Sequence, residues 1–165
     1  MQTSAGNDLI WFESAAEKAV FDRLGLACVY AVGAQGTRDV KIGWACNLQR
    51  RLHELQVGNP RRLEPITVSW TPGTLVVKRL EHRVREIVRP RSDERMPGWF
   101  DLPWDAVPGL FERAVRETGI PVIDHDEMLR RVGLARSGMV SASAARGGSP
   151  LRAAEIEALF FTQAA

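Results

Sequence analysis

Cysteine, histidine and long apolar runs are all scarce in this chain. Its two cysteines, Cys28 and Cys46, sit in separate strand-like runs without the spacing of a metal pair. They are expected as buried, reduced thiols of a cytoplasmic protein. Of the three histidines, His53 and His82 point away from the apolar stripes of their segments and read as solvated. For His125, in DHDE, a capped helix start is a stronger reading than a place in a carboxylate metal site. No apolar run approaches the roughly 20 residues of a membrane span. The polar N-terminus, with scattered acids, does not resemble a signal peptide. Internal repeats are also lacking.

A large charge of one sign is missing too, since the formal net charge is only +2 over 165 residues. The charge is unevenly placed, however. Residues 28–95 carry 13 Lys/Arg against 7 Asp/Glu, and the remainder 9 against 13. A basic middle between acidic ends suits a protein that meets phosphate through one surface, although charge alone is equally compatible with an uneven but idle surface. The length suits one domain with a proper core.

The most informative stretch is VYAVGAQGTRDVKIGWACNLQRRLHELQVGNP, from Val29 to Pro60. Two apolar runs flank a glycine-bearing tract, the pattern of a β-hairpin over Leu26–Val32 and Val40–Ala45. Alternation places Tyr30 and Val32 on one strand face. A turn centred between Gln35 and Gly36 sets Tyr30 opposite Lys41, on a face too polar for a core. Asn47 is positioned to cap a helix over Asn47–Gln56, with Leu48, Leu52 and Leu55 buried. Arg51 then lies beside the leucine stripe, while Arg50 points to solvent.

Further along, EPITVSW (64–70) alternates and reads as a third strand. Leu75–Val88 predicts a second helix with a broad apolar face, which Glu81 flanks. RPRSDERMPG reads as a charged loop, WFDLPW as a compact aromatic element, and Trp104–Thr118 as a third helix. IPVIDHDEMLRRVGL suggests a short strand and a short helix capped by Asp124 or Asp126. The Ser/Ala/Gly-rich residues 137–150 predict a flexible linker, and LRAAEIEALFF a final amphipathic helix. That helix would dock on this chain or serve self-association or a protein partner. At the other end, residues 1–7 read as disordered and 8–24 as a helix.

The string KIGxxxNxxRRLxxLQxGNP, preceded by CVY eleven residues before its KIG, resembles the GIY-YIG endonuclease superfamily. The likeness is to the phage-associated and bacterial branch whose second motif reads Lys-Ile-Gly, and it covers residues 28–102. It implies an α/β (α+β) fold with a small, mainly antiparallel three-stranded sheet flanked by helices. The nuclease-like domain would span 26–119, after a helical extension (1–25) and before a tail (120–165). It also implies metal-dependent hydrolysis of DNA, with Tyr30, Lys41 and Arg51 as catalytic residues and Glu81 as the ligand of Mg²⁺ or Mn²⁺. RNA stays open as a substrate.

Each residue also has a plain structural reading. Tyr30 can be a strand aromatic, and Lys41 an edge-strand lysine. Arg51 can cover leucines with its stem, and Glu81 can pair with Arg85 one turn later. Lys41 can serve as a base only if desolvation or neighbouring cations lower its pKa. The chain departs from the resembled pattern at Arg85, where a histidine is common, and at Gly98, where a glutamate is. These departures keep a second function open, a catalytically silent nucleic-acid-binding module. A third is a protein-interaction domain built on the final helix. Arg50, Arg61, Arg62, Lys78, Arg79 and Arg83 are the expected nucleic-acid contacts.

Overall fold

A computed structural model describes residues 25–148, together with positions 15, 18, 22, 152, 154 and 155. Apart from those isolated positions, the expected disordered start, N-terminal helix and final helix lie outside the described residues. In chain order the elements are β1 (Ala27–Ala34), β2 (Asp39–Ala45), α1 (Leu48–Val57), β3 (Leu63–Thr71) and α2 (Thr74–Val88). They are followed by β4 (Glu94–Met96), β5 (Trp99–Asp101), a 3₁₀ turn (Trp104–Ala106) and α3 (Val107–Thr118). The last two are β6 (Ile123–Asp124) and α4 (His125–Ala145).

The strands form one six-stranded antiparallel sheet in the order β4-β5-β2-β1-β3-β6. The expected three strands are its centre, so the three-stranded sheet is corrected to six. The extra strands are only two or three residues long, too short to display alternation. They form because they satisfy the exposed edges of β2 and β3. The charged loop thus contains β4 and runs into β5. The predicted linker is helical as far as Ala145, an extension of α4 that serine and glycine content conceals.

The β1–β2 register differs from expectation by two residues: Tyr30 faces Gly43, and Lys41 faces Val32. The turn is closed on Thr37, whose N–H donates to the Ala34 carbonyl at 3.0 Å and whose hydroxyl donates to it at 2.7 Å. Gly36 supplies the positive φ of 74° inside that turn. An even shift preserves the faces, so Tyr30 and Lys41 still share one.

That face is not open. Tyr30 is 1% exposed, packed with Cys28, Val32, Val68 and Trp70 beneath Leu48 and Leu52 of α1 and Met128 and Val132 of α4. The expectation of an exposed polar face fails because α4 covers it. The opposite face carries the larger core. There Val29, Ala31, Val40 and Ile42 meet Val77, Leu80, Val84 and Val88 of α2, and Phe111 and Ala114 of α3. Burying each such aliphatic side chain contributes about 1.5–3 kcal/mol. Cys28 is buried as expected, but Cys46, at the strand's end, is exposed.

Candidate active site at the outer edge of β2

The site begins with a glycine. A Cβ at Gly43 would stand 2.6 Å from the Tyr30 hydroxyl, so the phenol lies directly over this position and no side chain fits there. From α1, Arg51 Nε donates to Tyr30 Oη at 3.2 Å. Asn47 makes that reach reproducible: its side chain accepts from the Arg50 N–H and starts the helix at Leu48. Leu48 and Leu52 then lock α1 onto the sheet, and Arg51 emerges beside them as the spacing predicts. The other side of its guanidinium meets Glu54 at 3.2 Å.

Burial pushes the Tyr30 phenol above its ordinary pKa, against the partial opposition of Arg51. It therefore stays protonated at neutral pH. Because its oxygen already accepts from Arg51, its O–H remains to be donated elsewhere.

Glu81 and Arg85 approach from α2, on the other face of the sheet. β5 pairs with β2 only at Asp39–Lys41, and Gly98 follows the same edge, accepting from the Ile42 N–H at 2.8 Å. Gly98 holds φ at 77°, which favours glycine. A Cβ built there would meet Lys41 Nζ at 2.6 Å and an Arg85 terminal nitrogen at 2.8 Å. The lysine and the arginine therefore converge on one point around the edge of β2. Lys41 Nζ donates to the Pro97 carbonyl at 2.5 Å. Burial, then the Arg85 and Arg51 charges, lower its pKa, while Glu81 and Glu94 oppose the shift. Both routes by which a lysine becomes a weaker acid-binder, desolvation and neighbouring cations, act here.

Glu81 is 14% exposed and lies 2.7 Å from Arg85 Nε. The contact is an ion pair without hydrogen-bond alignment, since the buried Arg85 Nε finds no acceptor along its N–H direction. The Arg85 guanidinium also lies 3.7 Å from Glu94. Glu94 in turn accepts the Gly98 N–H at 2.5 Å, which, with Arg85, Arg89 and Lys41 nearby, holds its carboxyl below the usual range. Glu81 contributes to the charge felt by both Tyr30 and Lys41. All four residues singled out from sequence are thus in electrostatic reach of one another.

Sequence reasoning missed Glu94, whose place depends on a hairpin too short to recognise. The Arg85–Glu81 pair was legible from its spacing of four; the meeting of Arg85 with Lys41 was not. The other acids and bases are more dispersed. Arg50 is paired with Glu54 at 2.9 Å, and Arg62 lies 3.9 Å from Glu64. Arg61 donates to the Gln35 carbonyl at 3.4 Å. Lys78 stands 5.2 Å from the centre of the Trp44 ring, and Arg79 is exposed. Arg83 clamps α2 to α3 through Glu117 at 2.6 Å.

A surface concavity lined by Asn47, Arg50, Leu52, His53, Gln56 and Leu63, among others, contains Arg50 alone of the expected residues. His53 and His82 are exposed. His125 follows the α4 cap Asp124, which accepts from the Glu127 N–H at 2.8 Å. The indole of Trp70 donates to its Nδ1 at 3.2 Å. Among the described residues no group of three His, Cys, Asp or Glu side chains could hold a metal, and no helix is long and apolar enough to cross a membrane.

Comparison with curated proteins and with solved structures found no match. Residues 25–115 do match a family, the T5orf172 domain. The match is not to a GIY-YIG family. The assignment drawn from the CVY and KIG motifs, including the GIY-YIG type of endonuclease, is therefore corrected. Short motifs of strand and turn residues carried that likeness, whereas the match extends over β1 to α3. The T5orf172 domain is associated with nuclease-like and DNA-binding functions. On a match covering more than half of its length, the chain belongs to the T5orf172 domain family.

Proposed function

We propose that the chain is a metal-dependent endonuclease that hydrolyses phosphodiester bonds in DNA at the edge of β2. The observation that carries this reading is the 3.2 Å Arg51–Tyr30 hydrogen bond within electrostatic reach of Lys41 and Glu81. Phosphodiester hydrolysis needs a deprotonated water, neutralisation of the charge that builds on phosphate, and stabilisation of the departing oxygen.

Arg51 is 41% exposed and faces the phosphate as a fixed cation. Tyr30, kept protonated and held by Arg51, orients its O–H toward the reacting water or a phosphate oxygen. Lys41, with its lowered pKa, takes up the proton. Glu81 would hold Mg²⁺ or Mn²⁺. One carboxylate is a sparse donor set, and it fits an ion that keeps most of its water shell. Bound there, the ion supplies charge neutralisation and acidifies its own water.

Lys78 and Arg79 extend the cationic surface along α2, with Arg61 and Arg62 on the loop before β3. RNA presents the same phosphodiester and is the second substrate class to assay. The rival reading is a silent DNA-binding module, favoured by the 2.7 Å ion pair that occupies the Glu81 carboxylate. Nicking of supercoiled plasmid with and without Mg²⁺ or Mn²⁺ separates the two. The endonuclease nicks only with metal, and Arg51→Ala slows it by about 100-fold or more, the usual effect of removing a transition-state donor. A wild-type protein that binds DNA and never nicks it is the silent module.

A further inference from the structure

We infer that Arg85 is a phosphate-binding residue of this site whose resting partner is Glu81, so that nucleic acid and metal bind cooperatively. The inference rests on the reading of Glu81 as the metal ligand. Three features of the site support it. The Arg85 Nε lies 2.7 Å from Glu81 yet is buried without an aligned acceptor, so the guanidinium is held by charge rather than by a complete hydrogen-bond set. Its far end converges with Lys41 Nζ on one point above Gly98, each within 3.0 Å of it. Two cations so placed repel one another, and an anion set between them relieves that repulsion. Glu94, the other carboxylate near Arg85, is 3.7 Å away and already accepts the Gly98 N–H.

A DNA phosphate entering over Gly98 meets both cations and draws the Arg85 guanidinium from Glu81. Arginine suits this exchange, because its planar fork binds carboxylate and phosphate alike. The freed carboxylate then accepts the ion. By linkage, metal binding strengthens DNA binding by the same factor.

The test measures Mn²⁺ affinity of the full chain by electron paramagnetic resonance, without DNA, for wild type, Arg85→Gln and Glu81→Gln. Arg85→Gln is expected to bind Mn²⁺ about tenfold more tightly than wild type, within the usual range of such couplings. The same variant should bind a short duplex more weakly, in metal-free buffer, with a salt slope reduced by about one phosphate contact. A merely structural ion pair predicts neither effect. Thermal melting accompanies each titration, and Arg85→Met, which keeps the aliphatic stem, repeats the measurement with packing retained. If Glu81→Gln loses Mn²⁺ while both Arg85 variants bind it no tighter than wild type, the inference is overturned and the metal assignment stands. If Glu81→Gln binds Mn²⁺ as wild type does, the metal assignment itself is wrong and the inference goes with it.

Discussion

Gly43 and Gly98 do different physical work at the site. Gly98 is needed for its backbone, at φ 77°, and for the space in which Lys41 and Arg85 converge. Gly43 is needed only because the Tyr30 phenol lies over it. Gly43→Ala should therefore displace the phenol, break its bond to Arg51 and cost about 1–3 kcal/mol, as overpacking does. Urea melts would give the energy, and the shift of the single tyrosine's ring resonances would give the displacement. Unchanged stability and unchanged resonances would contradict this packing. The Tyr30–Arg51 contact was legible, because alternation and helical spacing each placed one partner. Their burial was not, since it depends on α4, which lies some 95 residues after Tyr30 in the chain.

Among the elements, α4 changes most between sequence and structure. Its early part is not a peripheral tail: β6 adds a strand beside β3, and Met128, fully buried, packs over the Tyr30 face. Met128→Ala should cost about 2–5 kcal/mol in denaturant unfolding. A loosely attached tail would tolerate it at almost no cost. The start of α4 also carries a pH signature. Arg130 and Arg131 hold the Glu127 carboxylate from its usual 4.5 down to about 2. A carboxylate depressed on folding stabilises above its unfolded pKa and loses that contribution as pH falls through the folded one. The Glu127 contribution is thus complete above about pH 4.5 and disappears towards pH 2, and Glu127→Gln should flatten the pH dependence of stability across that window. Long amphipathic segments such as α2 were legible from their periodicity. The β4–β5 hairpin was not, because three-residue strands are selected by the edge they pair with and not by their own composition.

For the whole molecule, the basic excess of residues 28–95 predicts DNA binding that weakens steeply as salt rises, with little sequence preference. Lys78→Ala and Arg79→Ala should weaken binding uniformly across sequences. Arg83→Ala should change it less, since Glu117 and Glu86 already take that charge. Fluorescence anisotropy at several salt concentrations checks both, and affinity that hardly moves with salt would count against a phosphate-reading surface. Charge distribution suggested this surface, but ion pairing across α2 and α3 decides which cations remain for DNA, and only the fold sets those pairs. The central claim is that Glu81 holds the ion that makes the Tyr30–Arg51 edge a nuclease. Glu81→Gln tests it most directly, because glutamine keeps the volume and removes the charge that binds Mg²⁺. Metal-dependent plasmid nicking by wild type should vanish in a Glu81→Gln protein that melts cooperatively and still binds DNA. Nicking that survives the substitution at the wild-type rate would contradict the account.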